Sequence, residues 1–185
     1  MTRGGMDHRL VKEQREASQG MLLSDFLAED AIQLDLPSSD KEALFQDALA
    51  HLHAKGYVSQ PDMVLEDLRV REKIMSTGIG QGVAIPHAQS EGVPGTHLSL
   101  WRPLAPLDFD AMDEQPVDLI FMILGPRGIG NEHVKILAKI SRLLHGSDFR
   151  GRLRSATSAA EVLDAIRESE PNCRSRRRLR RPAVG

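Results

Sequence analysis

Three residues have the types and spacing for phosphoryl chemistry. His87 closes the run Ser76-Thr-Gly-Ile-Gly-Gln-Gly-Val-Ala-Ile-Pro-His87, His133 stands in Gly128-Ile-Gly-Asn-Glu-His-Val-Lys135, and Arg71 lies just ahead of the glycine run. An imidazole nitrogen that is deprotonated, exposed and aimed, with its other nitrogen held by an acceptor, can take and give a phosphoryl group. Pro86 fixes the backbone before His87 and keeps Ile85 extended, so His87 is expected where a strand stops. The candidate phosphate loop is Ser76, Thr77, Gly78, Gly80 and Gly82. Its amides, and those of a helix starting near His133, would face phosphate oxygens, and Arg71 would add a fixed positive charge or a forked contact. Phosphoryl transfer asks little more of a protein than position and charge.

Other chemistries find less support. No lysine follows the glycines, so the run is not a Walker loop, and no helix opens from it, so it is not a dinucleotide fingerprint. There is no Gly-x-Ser-x-Gly elbow for a hydrolase. His51 and His53 are two apart on a helix and diverge, and neither His87 nor His133 lies in a His-Glu-x-x-His pair. No metal and no cofactor is expected.

The elements that must position these residues follow from periodicity and caps. Ala31–Leu36 alternates as a strand ending at Pro37. Ser39 and Glu42 form a capping box for a helix with Ala43, Leu44, Ala48, Leu49 and Leu52 on one face, closed by Gly56. Pro61 starts a second helix carrying Leu65 and Leu68 through Arg71-Glu72-Lys73. Val83–Ile85 and Leu98–Trp101 read as strands, and Val117–Leu124 as a central strand buried on both faces. Asn131 is the expected N-cap of a helix over Glu132–His145, with Val134, Leu137, Ile140, Leu143 and Leu144 inward. Ser158 and Glu161 box a last helix to about Glu168. Met75, Met112 and Met122 are expected to fill the core. Interspersed strands and helices give an α/β sandwich.

The 185 residues suit one domain: a flexible leader over 1–20, a domain over 21–169 and a disordered arginine-rich tail over 170–185. One cysteine, Cys173, excludes an internal disulfide, and neither a secretory signal nor a membrane-spanning run is present, so a cytoplasmic location is expected. Six arginines in residues 173–185 mask an acidic body, because without them the net charge moves from −2 to −8. Nucleic-acid binding by the folded part is therefore not expected, and only the tail could offer a nonspecific arm.

Arg71-Glu72 with Ser76–His87 resembles the phosphorylation-site motif of the fructose/mannitol-type enzyme IIA domains of the bacterial phosphoenolpyruvate-dependent sugar phosphotransferase system (PTS). The resemblance extends to Leu107–Asp118 and Asn131–Val134, and covers about residues 22–168. It implies a five-stranded mixed sheet flanked by helices, with His87 phosphorylated on Nε2, His133 orienting the phosphate and Arg71 beside it. The implied donor is an HPr-like phosphocarrier protein, and the implied acceptor an enzyme IIB domain or a regulatory target. A single domain without IIB or IIC parts favours the nitrogen-regulatory branch, with a sugar-specific IIA or a docking module of the same fold as alternatives. Gln81, where asparagine is commoner, Gln89, and the stretch Ser99–Pro106 with Trp101 depart from the pattern.

Overall fold

The computed structural model describes residues 21–128 and 130–170, so the leader and nearly all of the tail lie outside the described residues. Six strand segments, β1 (Leu27–Leu36), β2 (Gly78–Gly80), β3 (Val83–Ala84), β4 (His87–Gln89), β5 (His97–Pro103) and β6 (Leu119–Gly125), form one mixed sheet. The order is β1-β5-β6-β3-β2, with β4 also on β6. β1 runs parallel to β5, β5 antiparallel to β6, and β3 and β4 parallel to β6.

The sixth segment is a product of Pro86. Val83 pairs with Leu119 and His87 with Ile123, so β3 and β4 keep one register along β6 and are one strand line interrupted at Ile85-Pro86. Proline has no N–H for the ladder, yet its carbonyl still accepts from Ile123 N at 3.0 Å. Five strand lines therefore match the expected mixed sheet. His87 opens a strand segment rather than following the end of one, a correction to the sequence reading.

Helices α1 (Lys41–Ala54) and α2 (Pro61–Ile74) pack on each other; α3 (Gly130–Leu144), α4 (Ser147–Ser155) and α5 (Ala159–Ser169) form a second contacting group. β6 is buried along its whole length, as its unbroken apolar run requires. Gly56, at φ +82°, ends α1 in a Schellman motif: its N–H reaches His53 O and that of Tyr57 reaches Leu52 O. Asp40, not Ser39, is the N-cap of α1, accepting from Ala43 N at 2.8 Å. Ser158 caps α5 as expected.

Other expectations need correction. α3 begins at Gly130, so Asn131 lies within its first turn instead of capping it. Val134 is exposed, and Ile136, Ile140 and Leu144 are the fully buried positions. Only Met122 fills the core; Met75 and Met112 are exposed. The departure at Ser99–Pro106 is structural: Trp101 is buried, donates to Ser99 Oγ at 2.8 Å and meets the His51 ring edge-on. Arg102 donates to the carbonyls of Arg154 and Ala156 at the end of α4 and pairs with Asp35. Glu170, assigned to the tail from sequence, is buried: it accepts from Leu23 N and Ser24 Oγ and pairs with buried Lys139 at 3.0 Å. No described helix is long and apolar enough to cross a membrane.

Candidate active site

The break at Ile85-Pro86 sets the His87 ring. Two residues back, the Ile85 carbonyl lies 2.8 Å from His87 Nδ1. A carbonyl only accepts, so Nδ1 carries the proton and Nε2 keeps its lone pair. Arg71 Nε–H donates to that Nε2 at 3.0 Å, which agrees with the same tautomer. Arg71 itself is held by α2: it lies in the last turn, and its Nη1 donates to Met75 O at 2.9 Å, capping the helix it belongs to. The neutral ring is favoured further by burial, which lowers the pKa of half-buried His87; Arg71 adds to that lowering, while Ile85 and Glu72 oppose it.

His133 comes from the first turn of α3, and its ring centroid lies 5.6 Å from that of His87, tilted 56°. It is 7% exposed, and neither ring nitrogen has a hydrogen-bond partner among the described residues. Burial first, then the His87 charge, lowers its pKa to about 4, so it is neutral near pH 7. A neutral imidazole with an unspent N–H, at the positive end of a helix, suits an incoming anion. Gly125 gives it room, since a Cβ there would lie 3.5 Å from His133 Nδ1 and 3.2 Å from Thr96 Oγ1.

The structure joins His87, His133 and Arg71, but it gives the glycine loop different work. Thr77 N and Oγ1 donate to Glu72, Gly78 N donates to Ser76 Oγ, Gln81 N donates to Asp113, and Ser76 Oγ donates to Phe109 O. Their hydrogens are spent within the protein. Gly80 and Gly82, at φ +87° and +77°, turn the β2–β3 hairpin beside Asp113 and the Arg154–Asp118 pair. That turn lies beyond Val83, four residues down the strand line from His87, roughly 13 Å at about 3.3 Å per residue. Ser76, Thr77, Gly78, Gly80 and Gly82 thus frame the site instead of lining it.

Sequence reasoning missed three parts of the frame. Glu72, 9% exposed at its side chain, ties Lys41 to the Thr77 backbone. The Ile85 carbonyl fixes the His87 tautomer, and the Met75 carbonyl anchors Arg71. Backbone acceptors leave no sequence signal; for Glu72 the signal is an acid five residues before a threonine at a helix end. His51 and His53 bind the carbonyls of Asp30 and Val58 and are structural. Among the described residues, no group of three or more His, Cys, Asp or Glu side chains could hold a metal ion.

Residues 25–169 match the family model described as phosphoenolpyruvate-dependent sugar phosphotransferase system, EIIA 2. A nitrogen regulatory protein of Bradyrhizobium diazoefficiens is 38% identical over 149 residues, covering 79% of this chain and 95% of the relative. The fructose-specific EIIABC component of the Bacillus subtilis PTS is 31% identical over 150 residues, or 81% of this chain; the match spans only 24% of that longer protein. The crystal structure of nitrogen regulatory protein IIA-Ntr from Neisseria meningitidis superposes with a TM-score of 0.73 at 35% identity, covering 78% of this chain and 98% of that one. The match over residues 25–169, which span the whole sheet, establishes that the chain belongs to the type-2 enzyme IIA family of the PTS, a family of phosphoryl carriers.

Proposed function

We propose that this protein accepts a phosphoryl group on Nε2 of His87 from the phosphohistidine of an HPr-like carrier and acts in the cytoplasm. The observation that carries the reading is the double hold on His87: Ile85 O takes the Nδ1 proton, and Arg71 Nε marks the free lone pair. As the Nε2–P bond forms, the N–P bond of the donor breaks and its electron pair returns to the donor imidazole. The His87 ring becomes cationic because Nδ1 keeps its proton, and the Ile85 carbonyl stabilises that charge. Such a ring remains a good leaving group for the next transfer. Arg71 and the first-turn amides of α3 offset the phosphate charge, His133 donates to a phosphate oxygen, and the loop Ser76–Gly82 holds Glu72 and the strand break in place.

Partner docking has support of its own. Ile74, Met75 and Ile79 are exposed around the end of α2 and the start of the loop, as are Met112, next to the Ala111 that meets Gly78, and Val134, next to His133. Exposed apolar residues around a reactive histidine suit a transient protein partner. The nitrogen-regulatory role is favoured over sugar uptake because the solved nitrogen regulatory protein IIA-Ntr matches at 35% identity and a TM-score of 0.73, against 23% and 0.64 for the solved mannitol IIA of Escherichia coli. In the sugar-uptake alternative the acceptor is a IIB cysteine. Intact-mass measurement after mixing with phosphoenolpyruvate, enzyme I and an HPr-like carrier tests the proposal. The wild type should gain one acid-labile phosphate and His87→Ala none; an unmodified wild type with charged carriers would overturn it. Onward transfer to purified IIB would favour sugar uptake.

A further inference from the structure

A second site lies at the same end of the sheet. A cavity of about 390 Å³ opens where β1 and β5 begin, with Ser24, Asp25, Tyr57, Gly95, Thr96 and His97 in its wall. That volume falls within the range of small-ligand pockets, about 300–1,000 Å³. Three of its polar side chains have already given their hydrogens away. Ser24 Oγ donates to Glu170, Tyr57 Oη donates to Asp30 at 2.8 Å, and His97 Nδ1 donates to Gly95 O at 3.2 Å. What remains are their lone pairs, the Thr96 hydroxyl and the Asp25 carboxylate. His97 is 6% exposed, and its Nε2 is buried with no partner among the described residues, an acceptor without a donor. No lysine or arginine is among the described residues of the wall. The Tyr57 and His97 rings stand 5.3 Å apart and add aromatic faces.

We propose that this cavity binds a small organic cation, a primary ammonium or guanidinium compound of amino-acid size. Such a ligand brings the donors and the positive charge that suit a wall rich in acceptors, with one acid and no described lysine or arginine. An anion would meet the Asp25 carboxylate and no basic side chain among the described residues of the wall. The placement gives the ligand a route to the phosphorylation site. His97 pairs with Leu124, which pairs with Ala88 next to His87, so two strand spacings, about 10 Å, separate His97 from the β4 line. Thr96, in the cavity wall, and His133 both pack where a Cβ on Gly125 would stand. The proposal uses neither His87 nor Arg71, so it stands or falls separately from the phosphocarrier reading.

The test is a titration of the ¹⁵N-labelled full chain with agmatine, which carries both an ammonium and a guanidinium, and with glutarate as an anion of similar length. Backbone and imidazole resonances report. Agmatine should give saturable shifts centred on Tyr57, Thr96 and His97, with the His97 Nε2 resonance moving, and glutarate should give none. Asp25→Asn should weaken binding roughly fivefold, the value of one partly exposed ion pair. Gly95→Val should abolish it, since a Cβ at Gly95 meets nothing within 4 Å and the valine side chain fills open space without straining the backbone. No saturable agmatine shift up to about 50 mM, well above the ~1 mM of a weak small ligand, would overturn the proposal. So would equal shifts with glutarate, or unchanged binding in a folded Gly95→Val protein.

Discussion

Replacing Arg71 by alanine separates two effects that the geometry assigns to one side chain. Its Nε–H donates to His87 Nε2 at 3.0 Å, and its Nη1 donates to Met75 O at 2.9 Å. Loss of the first removes a charge-assisted hydrogen bond from a half-buried site, about 1.5–3 kcal/mol. Nε2 is bonded to phosphorus after transfer, so on the way there the Arg71 donor turns from Nε2 to a phosphoryl oxygen; alanine loses that contact of the same charge-assisted class, and phosphate acceptance should slow by roughly 10- to 150-fold. Loss of the second uncaps the end of α2 and should cost about 1 kcal/mol of stability, a shift of roughly 2–4 °C in Tm for a domain of this size. The same change removes a positive charge that lowers the His87 pKa, so that pKa should rise. Stopped-flow phosphorylation by a charged HPr-like donor, thermal unfolding and ¹⁵N imidazole titration read the three outcomes on one variant. Arg71→Lys should restore part of the charge but not the simultaneous contacts to His87 and Met75. Wild-type acceptance by Arg71→Ala, or an unchanged or lower His87 pKa, would refute the reasoning.

Other perturbations report on the frame. Gln81 sits at φ +58°, a conformation that asparagine adopts more readily, so Gln81→Asn should raise stability by about 0.5–1 kcal/mol in urea unfolding while leaving phosphate acceptance unchanged. Glu170→Ala leaves the Lys139 ammonium buried without its carboxylate and frees Leu23 N and Ser24 Oγ, which should cost about 3 kcal/mol in the same measurement. The folded pKa of His133, about 4, lies below the unfolded value near 6.5, so the unfolded chain takes up the proton first as pH falls. Stability should therefore be full above about pH 6.5 and drop toward pH 4, by about 1–2 kcal/mol once water access is allowed for. A His133→Gln protein should show a shallower acid slope.

Much of this architecture is legible in the sequence because its signals are local. Pro61 at a helix start, Gly56 past a helix end and the unbroken apolar run before Gly125 each read correctly, since each rests on one residue's backbone limits or on a continuous pattern. α4 escaped notice because Ser147–Ser155 buries only Phe149 and Leu153 amid four charged residues, too few apolar positions for a period. β2 escaped because a three-residue edge strand of Gly-Ile-Gly carries no alternation to read. Val134 read as core because helical spacing gives a face but not its angular limits. In the site, His87, His133 and Arg71 were visible as side chains. The work of the glycine loop was not, because hydrogen-bond acceptors such as Glu72, Asp113 and the Phe109 carbonyl reach it only through the fold. Gln81, a departure from the family pattern in sequence, stands at φ +58°, a backbone conformation that the sequence does not display.

The most direct test of the central claim asks which nitrogen takes the phosphorus. Long-range ¹H–¹⁵N correlation spectra of the phosphorylated, ¹⁵N-labelled protein, recorded above neutral pH to protect the phosphoramidate, distinguish the two ring nitrogens of every histidine. The account predicts phosphorus on Nε2 of His87, with the Nδ1 proton still present and held by the Ile85 carbonyl. Phosphorus on Nδ1, or on any residue other than His87, would contradict it.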